Sequence, residues 1–235
     1  MLGALLGVFA SRPPMIPAAR HVTELHDRCL SDLRWPRAEL ADGPAAAEAG
    51  GDGAWRWIAA NHLFNSRLWA EEDLARRTQV GDAEIARNKR HIDAFNQARN
   101  DATERVDELL LIALGLVDEA SARSDAPRSL APAGARLNSE TAGSMIDRLS
   151  ILALKIDAMR KQAARTDADA AHREASAVKL QRLKAQRGDL AGCLDALLAD
   201  ARAGRACFKV YRQFKMYNDA RFNPALVAER NAGAA

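Results

Sequence analysis

From Ala142 to Ala164 the chain is apolar around most of a helix. Met145, Ile146, Leu149, Leu152, Ala153 and Ile156 fall on one side at spacings of three and four, and Ile151 and Leu154 on the other. A surface helix keeps a single apolar stripe, so this segment must be enclosed by other elements. Ser139-Glu140-Thr141 supplies the polar groups that start it.

The rest of the chain supplies helices to enclose it. Val22, Leu25, Cys29, Leu30 and Leu33 mark a short amphipathic helix that the Trp35-Pro36 step should end. A longer helix is expected from about Trp55 to Arg77, and Gly81-Asp82 separates it from a second, running from about Ala83 to Ala122. On that second helix Ile92, Phe95, Ala102, Val106, Leu109, Leu110 and Ala113 form the apolar side. Residues 124–138, interrupted by Pro127, Pro132 and Gly134, read as a loop. A fourth long helix spans Asp169 to Ala203, with Leu180, Leu183, Leu190, Leu194 and Leu197 at heptad-like intervals and Gly204 as its C-terminal stop.

The fold class expected is all-α, a bundle of four to six helices with a short aromatic and basic C-terminal segment. At 235 residues one domain is expected over 21–224, preceded by an extension at 1–20 and followed by a flexible tail at 225–235. The opening MLGALLGVFA reads either as a short secretory h-region or as an amphipathic or disordered extension; it lacks a basic flank and is too short to span a bilayer, and no other stretch has the length of a membrane span. A balance of 34 basic against 31 acidic residues is too even to argue for nucleic acid. Three cysteines with no CxxC argue against a zinc site or a disulfide framework and suit a reducing, cytoplasmic setting.

Two polar stripes carry the functional signal. His62, Asn65, Trp69, Glu72, Asp73 and Arg76 share one face of the first long helix, and Lys89, Asp93, Asn96, Asn100, Glu104 and Asp107 one face of the next. Asn96, Gln97 and Asn100 are mediocre helix formers on a face that Lys or Glu would solvate better, which suggests partners. Trp69 among charges and amides suits packing in a cleft or between helices. The first stripe is open to two readings, a buried structural network or a ligand site, and the second to two others, the solvated face of an amphipathic helix or a set of groups with partners. Asp147 and Lys155 sit on the helix expected to be enclosed, so both should be paired, either by salt bridges to helices such as those bearing Glu72 and Arg90 or within a charged cleft. Near the C-terminus Lys209, Arg212 and Lys215 alternate with Tyr211, Phe214 and Tyr217, beside Gln213 and Asn218. That mixture suits a phosphate or a sugar ring, or else a strap whose aromatics plug the bundle.

The strings NHLFNSRLWAEEDLARR, KRHIDAFNQARNDATERVDELL, SETAGSMIDRLSILALKI, QRGDLAGCLDALL and YRQFKMYNDARFNP together resemble the bacterial domain-of-unknown-function family 4254 over roughly His26 to Pro224. Ala142 and Ala220 stand where that family usually has proline. The resemblance implies a helical protein found beside genes for lipopolysaccharide or other glycan transfer, and no established activity.

Two functional expectations follow. In one, a phosphorylated or nucleotide-sugar ligand is bound, and hydrolysed or transferred, in a polar cleft. Glu72, Asp73, Asp101, Glu104 and Asp147 would be its catalytic carboxylates, with magnesium on Glu72, Glu104 and Asp107. Glu71 to Asp73 and the ExxD pair Glu104/Asp107 are similar to the acidic motifs by which all-α nucleoside triphosphate pyrophosphohydrolases hold magnesium, but Arg76 puts a cation where a ligand is wanted. Lys89, Arg90 and Lys215 would meet phosphate. In the other, the protein is a non-catalytic partner of a glycosyltransferase or another envelope-synthesis enzyme. No GxSxG motif or glycine-rich phosphate loop specifies a nucleophile or a nucleotide site.

Overall fold

The segment apolar on both sides is the hub of the molecule. In the computed structural model, which describes residues 16–36, 53–214, 216 and 219–232, it forms α4 (Ala142–Ala163). Around it stand α1 (Ala19–Ser31), α2 (Ala54–Leu74), α3 (Asp82–Ala113) and α5 (Ala170–Arg202), and α4 packs against all four. The fold is all-α: α2 folds back along α3 and α4 along α5 through short connections, and a short α6 (Pro224–Ala232) lies near the C-terminus. Among the described residues no helix is long and apolar enough to cross a membrane.

Local chemistry sets the helix ends. The Thr141 side chain caps α4 by accepting from the Ser144 N–H, and Asp169 caps α5 by accepting from the His172 N–H. Gly204 follows the last turn of α5, as expected. The helix expected to reach Ala122 stops at Ala113, because Gly115 adopts φ +68°. Its N–H donates to the Ile112 carbonyl and the Leu116 N–H to the Leu111 carbonyl, and both Leu111 and Leu116 are buried. That pattern of a left-handed glycine, two reversed bonds and an apolar contact closes a helix.

The chain beyond Gly115 is a loop, as expected for 124–138, pinned by short β contacts. Val117 bridges Ser129 in antiparallel fashion, and β1 (Arg136–Leu137) pairs in parallel with β2 (Ala206–Cys207). This pair anchors the C-terminal segment beside the bundle. From β2 the chain continues extended, with Phe208 and Val210 buried while Tyr211 and Phe214 are exposed, so the residues that plug the core are Phe208 and Val210.

The core holds Trp55, Ile58, Leu63, Leu110, Ile146, Leu149, Ile156 and Leu194, each almost fully inaccessible. α2 is enclosed along its middle, where Trp57 to Ser66 are all buried. At the other extreme Leu33, expected on the apolar face of α1, is 100% exposed because α1 ends two residues before it. The α3–α4 crossing is closest at Gly143, where a Cβ would stand 2.6 Å from the Thr103 carbonyl oxygen and 2.8 Å from Asp107 Oδ1.

Candidate functional site

α2 buries a row of polar groups along the face it turns to α4. Asn61 and Asn65, one turn apart, each donate from Nδ2 to Asp147 Oδ1 at 2.8 Å. Asn61 Nδ2 also reaches Thr103 Oγ1 on α3, and Asn65 Nδ2 reaches Ser150 Oγ at 3.0 Å. His62 Nδ1 shares a 2.8 Å hydrogen bond with Ser150, and the His62 ring stacks between His26 (centroids 4.4 Å) and Trp35 (5.3 Å). Trp35 in turn donates from Nε1 to Ser66 Oγ at 2.9 Å. Burial pushes the His62 imidazole down to about 3 and holds His26 well below the usual histidine range, so both rings are neutral. The Arg99 guanidinium approaches Asp147 Oδ1 at 3.9 Å. Asp147 is therefore paired, by Arg99 and two amides.

Outward from this network lies a cleft of about 340 Å³ between α2, α3 and α4. Asn65, Trp69, Glu72, Asp73 and Arg76 line it from α2, Asn96 and Arg99 from α3, and Ile151 and Leu154 from α4. All of the first stripe except His62, and Asn96 of the second, thus share one opening. Arg76 is tied to its neighbour, donating from Nη1 to Glu72 Oε2 at 2.8 Å. Arg99 Nη2 donates to Asn100 Oδ1 at 3.0 Å.

Other residues singled out by sequence lie elsewhere. Lys89 pairs with Asp93 and Gln97 donates to Asp101, one turn apart on exposed turns of α3, where Arg90 is exposed too. Glu104 is spoken for by the C-terminal segment: its Oε2 accepts from Arg212 Nη1 and its Oε1 from the Gln213 backbone N–H, both at 3.0 Å. Arg212 also binds Glu108 and the carbonyls of Ala122 and Ser124. Asp107 is buried and accepts from the Gly143 N–H at 2.6 Å. Burial raises its pKa to about 7, against the opposing pull of the Thr141 and Gly143 hydrogen bonds, and the neighbouring Glu104 and Glu108 add to the rise. Lys155 is exposed, not enclosed with Asp147, because eight residues at 100° each carry it about 80° round the helix. Lys215, Tyr217 and Asn218 lie outside the described residues.

This arrangement does not fit the magnesium set Glu72, Glu104 and Asp107. Glu72 is engaged by Arg76, Glu104 by Arg212, and Asp107 is a buried group that resists ionisation. Among the described residues no three His, Cys, Asp or Glu side chains are grouped to hold a metal ion. Nor do the five expected catalytic carboxylates form one group: Glu72 and Asp73 line the cleft, Asp147 lies in the network behind it, Asp101 accepts from Gln97 on α3, and Glu104 meets Arg212 of the C-terminal segment.

Sequence reading missed Asn61, Thr103, Ser150 and Arg99. Asn61 precedes Asn65 by four, and Arg99 and Thr103 continue the spacing from Asn96. The same periodicity that found their neighbours contained them.

The fold and cleft define a helical-bundle protein with a network-backed polar cleft between three of its helices. The chain belongs to the family described as Protein of unknown function (DUF4254), which matches residues 55–210. No curated protein and no solved structure matches it.

Proposed function

We propose that the α2–α3–α4 cleft binds a small phosphorylated ligand bearing a sugar, a sugar phosphate or nucleotide sugar. The observation that carries this reading is the convergence of Trp69, Glu72, Asp73, Asn96 and Arg99 on one opening. An indole face suits the apolar side of a sugar ring. Carboxylates and an amide suit its hydroxyls, and a guanidinium suits phosphate. The network behind the cleft holds the α2 and α4 walls in register, so the binding groups are positioned before ligand arrives.

The role we infer is binding, in bacterial envelope-glycan metabolism and in the cytoplasm. Three free cysteines, one of them exposed, suit that reducing compartment. Calorimetric titration of the full chain with a panel of sugar phosphates and nucleotide sugars tests the reading. We expect saturable heat for at least one compound and at least tenfold weaker binding in Trp69→Ala and Arg99→Met. A panel that gives no heat sinks the proposal.

A further inference from the structure

On the far side of Trp69 lies a second groove, of about 280 Å³, between α4 and α5. Trp69, Ala158, Met159 and Leu183 line it beside Gln186, and the surface it offers is almost wholly apolar. Lys155, Lys179 and Arg182 line it as well, and all three are exposed. Long cationic side chains meet such a surface by laying their methylenes along it and keeping their charges in water. The groove is therefore apolar inside and cationic at its rim.

The rim charges are uncommitted. Lys161 and Arg160 share Asp157, Arg165 pairs with Asp167 and Arg187 with Asp27, but Lys155, Lys179 and Arg182 have no acidic partner among the described residues. Three unpaired cations, contributed by two helices around one apolar depression, complement a molecule with an apolar body and an acidic head. A sugar phosphate would leave the apolar surface uncovered, and a neutral hydrocarbon would leave the charges unused.

We propose that this groove binds a single-chain anionic amphiphile, the tail lying on Trp69, Met159 and Leu183 and the acidic head facing Lys155, Lys179 and Arg182. Apart from Trp69 it rests on residues that the polar cleft does not use, so either site can fail without the other.

Calorimetric titration of the full chain with decyl phosphate, below the concentration at which it forms micelles, tests the assignment. We expect one saturable site. Binding should fall at least tenfold in the Lys155→Gln/Lys179→Gln/Arg182→Gln variant, which removes the charges and keeps methylenes over the apolar surface, and also in Leu183→Gln. Decyl maltoside, with the same tail and no charge, and inorganic phosphate should each bind at least tenfold more weakly. Equal affinity for decyl maltoside would make the groove a nonspecific apolar surface, and equal affinity for phosphate a bare anion site. Capture of phosphatidylglycerol vesicles without binding of the monomer would make it a membrane-facing patch. Any of these, or unchanged affinity in the triple variant, overturns the proposal.

Discussion

Asp107 shows how one buried group couples the packing of two helices to pH. Its Oδ1 accepts the Gly143 N–H, while burial raises the carboxyl to about 7 from an ordinary 3.8. Between those values the unfolded chain has released the proton and the folded chain still holds it, so the folded state binds more protons and stability falls as the pH rises. The contribution is full below pH 3.8, is lost across the window up to about 7, and is constant above it. Asp107→Asn keeps an oxygen for Gly143 and cannot ionise. Urea unfolding of both proteins at pH 5 and pH 8 should show the wild type losing stability relative to the variant as the pH rises, with a slope of up to about 1.4 kcal/mol per pH unit inside the window. A difference that stays constant or grows in the wild type's favour would show that Asp107 is ionised throughout. Trp69 has a different kind of importance, because it lies between the polar cleft and the apolar groove and lines both.

Among the elements, the α3–α4 crossing and the C-terminal strap depend most on single residues. Gly143 allows α4 to meet the backbone of α3, and a methyl group there would meet the Thr103 carbonyl at 2.6 Å. The carbonyl belongs to a helix and cannot rotate away, so Gly143→Ala must separate the two helices. We expect a loss of about 1–3 kcal/mol in chemical denaturation, and wild-type stability would show that the crossing is looser. The strap is held by Arg212, which binds Glu104, Glu108 and two loop carbonyls. Arg212→Ala leaves Glu108 buried with only Arg105 to offset it, a loss of about 3 kcal/mol. Hydrogen exchange should then rise in residues 206–214 before it rises in α4, and uniform exchange would mean that the strap is not a separate element.

At the scale of the whole molecule, the bundle was legible where periodicity and caps agreed. Thr141, Asp169 and Gly204 bound their helices where the sequence placed them, and the apolar circumference of α4 identified the hub. The end of α3 was not legible from periodicity, since apolar residues continue past Gly115 and only a glycine in a left-handed conformation stops the helix. The site was legible in part for a related reason. Spacing of three and four places side chains on a face but does not say whether that face meets solvent, a helix or a strap. Asn65 and Asn96 therefore reached one cleft, whereas Glu104 met Arg212 from more than a hundred positions away, and Asp107 met Gly143. Those partners come from tertiary packing, which a helical repeat does not encode.

A sugar-bearing phosphate seated in the α2–α3–α4 cleft would lie against Trp69, whose indole N–H resonance reports on it directly. The chain has four tryptophans, of which Trp55 and Trp57 are buried in the core and Trp35 donates to Ser66. Titration with the panel's binding compound, followed by nitrogen–proton correlation NMR and assigned with Trp69→Phe, should shift the Trp69 signal saturably and leave the other three in place. A Trp69 signal that stays fixed while the compound binds would put the ligand outside this cleft.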